Sequence, residues 1–251
     1  MSSNSSPFAQ ALARSNEPES EQQAAAFQAI ADLRKDINDR MDELLPKADK
    51  QPASLHKSMR FSLLGPGKRI RPLMTALVAM AADRNDDKIL PFAVDAGCAV
   101  EMVHTASLIL DDLPSMDDAS TRRGRPTTHL EFGEATAILA AIGLMNRAYE
   151  VIAHSLDADD AKKTKAQQVL AGSIGSNGLI AGQEIDLNER AKFSEQAPIE
   201  SLNWLKTGVL FVASAELGCI AAGLDENSTK HVCDFAKHIG LAFQTADDLM
   251  D

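Results

Sequence analysis

The chain has 251 residues, 45% of them apolar and 4% aromatic, with a formal net charge of −11. It is long enough to bury one large core, and its acidity excludes a general attraction to nucleic acid or to an anionic membrane surface. Ala and Leu are abundant and Gly and Pro are mostly confined to joints, a composition that favours an all-α fold.

Residues 1–20 are rich in Ser, Asn, Gln and Glu and read as a disordered tail without the apolar core of a signal peptide. A first helix is predicted over 22–45, where Phe27, Ile30, Leu33, Ile37, Met41 and Leu44 recur at spacings of three and four. Residues 46–52 form a joint. The second helix runs to about residue 64 and stops at Gly65-Pro66-Gly67. A third covers about 71–83. The fourth covers about 89–113 and delivers an acidic run at its C-terminal end. A loop over 114–126 follows. Thr128-His-Leu-Glu131 fits a capping box that opens a fifth helix reaching about 156. The sixth is predicted over 161–187, with Gly172, Gly175 and Gly178 placed to bend it. Pro198 suits the first position of a seventh helix, which ends by Gly223. An eighth begins after about residue 227 and carries a second acidic run. No stretch alternates like a strand, no segment repeats, and 21–251 reads as one domain. No uninterrupted apolar run approaches the roughly 18 residues of a membrane span. Cys98, Cys219 and Cys233 form no CxxC pair and no ligand set, and read as buried apolar residues in a reducing, cytoplasmic compartment.

The acidic runs carry the chemistry. The first is Asp111-Asp112-Leu-Pro-Ser-Met-Asp117-Asp118, followed by Arg122-Arg123-Gly124-Arg125-Pro126. The second is Phe243-Gln244-Thr-Ala-Asp247-Asp248-Leu-Met-Asp251. Crowded carboxylates repel, and an oxygen-seeking cation such as Mg²⁺ relieves that repulsion while also engaging phosphate oxygens. Helical spacing puts Glu101, His104, Leu108 and Asp111 on one face, and Gln244, Asp247 and Asp251 on another. A solvated acidic helix end is the bland alternative, but carboxylates at a helix C-terminus are disfavoured unless something compensates them. The alternating Asp and central Gly of an EF-hand are absent. Lys68 and Arg71, in Gly67-Lys68-Arg69-Ile-Arg71-Pro72, are three apart and suit a pyrophosphate, although surface charge at a helix start has the same look. Gly182-Gln183-Glu184-Ile-Asp186 and Lys206-Thr207-Gly208 interrupt apolar helices. The second invites a local kink, although routine helix variation is the plainer reading of either motif alone.

Together, from about residue 50 to the end, these motifs resemble the trans-isoprenyl diphosphate synthase (polyprenyl synthetase) family. The ordered set is Gly-Lys-Arg-x-Arg-Pro, Asp-Asp-x4-Asp with Arg-Arg-Gly, Gly-Gln-x-x-Asp, Lys-Thr-Gly, and Phe-Gln-x-x-Asp-Asp-x-x-Asp. The resemblance implies an antiparallel all-α barrel around a deep apolar cavity, usually as a homodimer. It implies about three Mg²⁺ ions held by Asp111 and Asp117, with Asp112 and Asp118 supporting, and by Asp247, with Asp248 and Asp251 supporting. Arg122 would grip the allylic diphosphate. Lys68, Arg71, His104 and Arg123 would bind isopentenyl diphosphate, and Lys206, Thr207 and Gln244 would flank the allylic carbon as it becomes cationic. The departing pyrophosphate would serve as base.

In this family, bulk just before the first aspartates sets product length. Ala106 and Ser107, five and four residues before Asp111, are small, so the chain resembles the bacterial geranylgeranyl diphosphate synthases of the carotenoid type. Ala140-Ala-Ile-Gly-Leu144 also fits that branch. A farnesyl diphosphate synthase is the alternative. A non-catalytic regulatory subunit would be expected to have lost motif aspartates, and a terpene cyclase need not keep Lys68, Arg71 and His104. Pro66 stands where many members have Gly. Relatives continue beyond the position of Asp251 with helices that supply another lysine.

Overall fold

A computed structural model describes residues 20–82, 89–188 and 204–248, with side chains at all of these except 206–207 and 243–248. The chain divides into two units, residues 1–36 and 37–251. Helix α1 (Glu21–Leu44) begins in the first unit and ends in the second. In the first unit the described residues form one helical segment, on which Gln28 donates to Asp32 at 2.8 Å. Phe27 remains 46% exposed.

The second unit is built on α4 (Ile89–Asp111), buried along almost its whole length. Around it pack α2 (Ala53–Leu63), α3 (Ile70–Ala82), α6 (Glu134–His154) and α9 (Val209–Ala222). Its surface is mostly apolar, as a central helix requires, with Glu101, His104 and Asp111 on one face. Two glycines allow the closest crossings. A Cβ on Gly97 of α4 would lie 2.8 Å from the Pro72 backbone of α3, and one on Gly218 of α9 would lie 2.6 Å from the Thr75 carbonyl. Asp95, an acid within α4, is buried but paired, receiving Arg40 Nε at 2.7 Å. Arg60 and Arg147 cap the end of α1 by donating to the carbonyls of Asp42, Pro46 and Leu44. By length and composition α4 and α6 could each cross a membrane, but 78% of the apolar window of α4 is buried inside the fold, against 39% for α6.

The all-α expectation holds, with corrections. The 114–126 loop contains a small antiparallel hairpin, β1 (Thr121–Arg122) and β2 (Arg125–Pro126), where no strand was expected. Its two-residue turn, Arg123-Gly124, has φ of 53° and 76°, the left-handed pair that a tight hairpin of this length demands. The fifth predicted helix is two: α5 (Thr128–Phe132) and α6, broken at Gly133 with φ of 84°. The expected capping box does not form. Thr127 is the N-cap and makes no side-chain cap; its hydroxyl donates to the Ala119 carbonyl, while the Thr128 hydroxyl is 2.9 Å from that of Ser62. The sixth predicted helix is also two, α7 (Asp160–Ile174) and α8 (Leu179–Asn188), and the glycines produce a break over 175–178 in place of a bend. The start proposed at Pro198 lies outside the described residues. At Lys206-Thr207-Gly208 the chain takes a single π turn, Trp204–Gly208, before α9. Helix α10 (Glu226–Asp248) follows, its first turn held by Asp225, which accepts from Ser228 N at 2.8 Å.

Candidate active site

Asp111 and Asp112 end α4 and are buried, with 8% and 3% of their surfaces exposed. The negative end of the helix dipole adds to their mutual repulsion. Arg122 relieves Asp112 by donating from Nε and Nη2 to Oδ1 at 2.9 and 2.5 Å. The following loop folds back over the helix end. Asp117 N donates to the Asp111 carbonyl at 2.9 Å and Asp118 N to the Leu113 carbonyl at 3.1 Å, with Asp118 in the left-handed region at φ 48°. The four aspartates of the first motif are thus brought to one end of α4, with Asp117 and Asp118 exposed.

Beside them lies a group of guanidiniums. Arg123 Nη1 donates to the Pro66 carbonyl at 2.8 Å, which ties the hairpin to the Gly65-Pro66-Gly67 turn. A Cβ on Gly67 would come within 2.6 Å of Arg69 Nη1 and 2.8 Å of Arg123 Nη1, so a side chain there would push both aside. Arg69, given no role by the sequence, is fully engaged inside the fold. It donates to Glu101 at 3.1 Å, Asn38 at 2.9 Å and the Gly65 carbonyl at 2.6 Å, from a backbone at φ 55°. That anchor fixes the turn from which Lys68 projects, exposed, and after which Arg71 enters α3 with its guanidinium 5.0 Å from the Phe211 ring centre. His104 sits on the same face of α4 as Asp111, two turns earlier. Desolvation and then the charges of Arg71, Arg123, Arg122 and Arg69 hold it well below its ordinary pKa. Burial, with Arg69 and Arg122, also lowers Arg123, against an upward pull from Glu101. The charge surplus is positive, next to a carboxylate end that is negative. That pairing suits an anion carried in with divalent cations.

Gln183 of α8 reaches Met116 in the 114–120 loop, its Nε2 3.9 Å from Sδ, and Asp186 is half-buried one turn later. Lys206 and Thr207 lie in the π turn. Helix α10 passes close to that turn, for a Cβ on Gly240 would sit 3.3 Å from the Gly208 Cα. Gln244, Asp247 and Asp248 continue α10 beyond that crossing, with only their backbone described; Asp251 lies outside the described residues. Among the described residues, no three His, Cys, Asp or Glu side chains gather as a ready metal cage. The available donors at the α4 end are all carboxylate oxygens, which fit a hard cation such as Mg²⁺ and not a thiolate- or imidazole-seeking one.

The two chain-length positions differ. Ala106 has no accessible surface, so it faces packed atoms; Ser107 is partly accessible and its hydroxyl donates to the His104 carbonyl at 2.9 Å. A larger cleft of about 760 Å³ lies between α7, α9 and the start of α10, lined in part by Lys162, Val169, Val212 and Glu216, with none of the predicted site residues on its wall. Sequence reasoning missed Arg69 with Glu101, and Arg125, whose guanidinium lies 4.0 Å from the Phe61 ring centre. The Arg123-Gly124 pair is the turn signal within the segment expected as loop.

Comparison with known proteins converges on one family. Residues 52–251 match the polyprenyl synthetase family model. A geranylgeranyl diphosphate synthase from Pseudescherichia vulneris is 42% identical over 219 residues, covering 87% of this chain and 70% of that protein. A farnesyl diphosphate synthase from Geobacillus stearothermophilus is 41% identical over 202 residues, covering 80% of this chain and 67% of that protein. The apo crystal structure of a FPP/GFPP synthase from Zymomonas mobilis superposes with a TM-score of 0.83 at 33% identity, covering 91% of this chain and 82% of that one.

Proposed function

We propose a function from one premise: the chain belongs to the polyprenyl synthetase family, whose enzymes are prenyltransferases of isoprenoid biosynthesis. The reading is a Mg²⁺-dependent synthase that joins isopentenyl diphosphate to allylic diphosphates head-to-tail and releases geranylgeranyl diphosphate. The observation that carries it is the meeting of opposite charges at the end of α4. There the Asp111–Asp118 segment folds against Arg122 and Arg123, with Arg71 and His104 behind them.

In this reading Asp111, Asp112, Asp117 and Asp118 hold the ions on one side and Asp247, Asp248 and Asp251 on the other. The bound ions, about three of them, would neutralise the diphosphate that leaves. Arg122 grips the allylic diphosphate, leaving Asp112 to share its charge with a metal. Lys68, Arg71, Arg123 and neutral His104 hold the isopentenyl diphosphate. An unprotonated imidazole can accept or donate a hydrogen bond there without adding to the positive surplus. Lys206, Thr207 and Gln244 orient the reacting carbon and present dipoles to the developing cation in an apolar, water-poor site.

Geranylgeranyl diphosphate as product is supported by the small, accessible Ser107 one turn below Asp111 and by the Pseudescherichia relative. Farnesyl diphosphate is the second reading, favoured by the Geobacillus relative at 41% identity. A homodimer belongs to the same proposal. Ile138, Leu139 and Ile142 give α6 an exposed apolar stripe that a second copy would cover. The free thiols of Cys98, Cys219 and Cys233 support a reducing, cytoplasmic setting. The test is diphosphate release measured with each substrate alone and with both. Release that needs isopentenyl diphosphate, an allylic diphosphate and Mg²⁺ together supports the reading. Hydrolysis of the allylic diphosphate alone, at the same rate, overturns it.

A further inference from the structure

We propose that Arg125, held over the ring of Phe61, is a positioning residue that sets the β1–β2 hairpin so that Arg122 and Arg123 face the bound diphosphate. The inference rests on the prenyltransferase reading. The hairpin is short, with only the pairs Thr121–Pro126 and Arg122–Arg125 in register. Two-stranded ribbons this small do not hold themselves, and Pro126 removes one donor from the ladder. Arg122 and Arg125 are direct cross-strand partners on one face, where like charges repel. The structure separates them. Arg122 is drawn to Asp112, and Arg125 lies with its guanidinium carbon 4.0 Å from the Phe61 ring centre.

Phe61 is itself braced. Its ring meets Phe132 edge-on, at 5.3 Å between centres and 70° between planes. Phe132 ends α5, the helix that leaves the hairpin, so one ring anchors both sides of the segment. Arg125 also reaches the turn that follows α2, for a Cβ on Gly65 would be 3.0 Å from its Nη1. A small cavity of about 60 Å³ is bounded by Phe61, Gly65, Asp112, Arg122, Arg123 and Arg125. Arg125 is engaged by the Phe61 ring and lies against the Gly65 turn, and acts through Arg122 and Arg123. Its planar cation over an aromatic face is a contact that a shorter or neutral side chain cannot reproduce.

The test compares the wild type with Arg125→Met, Phe61→Leu and Phe61→Tyr, each checked for folding by circular dichroism and thermal unfolding. Binding of inorganic pyrophosphate in Mg²⁺ is measured by calorimetry, and steady-state constants for the allylic substrate are measured alongside. Arg125→Met and Phe61→Leu should each weaken pyrophosphate binding about fivefold, equivalent to about 1 kcal/mol. The double change should weaken it no further, and Phe61→Tyr, which keeps the ring, should match the wild type. KM for the allylic substrate should rise more than kcat falls. Wild-type pyrophosphate affinity in folded Arg125→Met, or equal loss in Phe61→Tyr and Phe61→Leu, would overturn the positioning role alone. Failure of the wild type to bind pyrophosphate with Mg²⁺ would overturn both this role and the functional reading beneath it.

Discussion

Asp111 and Asp112 occupy the least favourable place on α4 for a carboxylate, buried at the negative end of its dipole. Arg122 relieves Asp112 by direct hydrogen bonds, and a divalent cation would relieve the pair further. Asp111→Asn is therefore expected to leave the fold intact and to lower turnover by roughly 10²-fold or more, since metal charge stabilisation is worth several kcal/mol. A steady-state assay across a Mg²⁺ titration checks this; near wild-type turnover with the same Mg²⁺ dependence would refute the ligand role. His104 gives a pH prediction. The unfolded chain takes up a proton there near the ordinary value of 6.5, whereas the folded protein keeps the ring neutral to lower pH. Below about 6.5 the unfolded state binds more protons, so acidification costs stability. His104→Gln should flatten the decline in the urea midpoint between about pH 7 and 5, and an unchanged slope would count against the buried neutral ring.

At the scale of elements, α4 acts as a ruler. Ser107 is one turn before Asp111 on the same face, about 6 Å down the axis at 1.5 Å per residue. Ser107→Phe should shorten the main product from twenty carbons to fifteen, read by mass spectrometry of the extracted products. Ala106→Phe is a different experiment, because the residue has no accessible surface. Extra bulk in a packed core typically costs about 1–3 kcal/mol, and a lowered melting temperature is the expected first effect. Gly218→Ala should act in the same way at the α9–α3 crossing, where the new methyl meets the Thr75 carbonyl. An unchanged melting temperature would mean that the helices part without cost.

Most of these elements were legible from apolar spacing. The breaks were not, because Gly133 and the 175–178 stretch act through backbone angles and close approaches that periodicity does not record. The hairpin escaped for a related reason. Two residues per strand give no alternation, and the left-handed Arg123-Gly124 pair was its only local signal. Among site residues, the motif aspartates and Lys68, Arg71, Arg122 and Arg123 were readable because clustered charge is costly and so stands out. Arg69 was hidden among them. A burial partner such as Glu101, about thirty positions away, can be assigned only once α3 and α4 are packed together.

At the scale of the whole molecule, α6 presents Leu139 and Ile142 to solvent at 56% and 57% exposure, a stripe that a second copy would cover. Leu139→Glu with Ile142→Glu should halve the mass measured by light scattering, and a wild type that is already monomeric would remove that part of the proposal. The most direct measurement is product mass after incubating this chain with isopentenyl diphosphate, Mg²⁺ and, in separate reactions, allylic starters of five, ten and fifteen carbons. A twenty-carbon diphosphate is expected as the dominant product. A product ending at fifteen carbons, with no extension of the fifteen-carbon starter, would contradict the chain-length assignment, and no condensation with any starter would contradict the proposed activity.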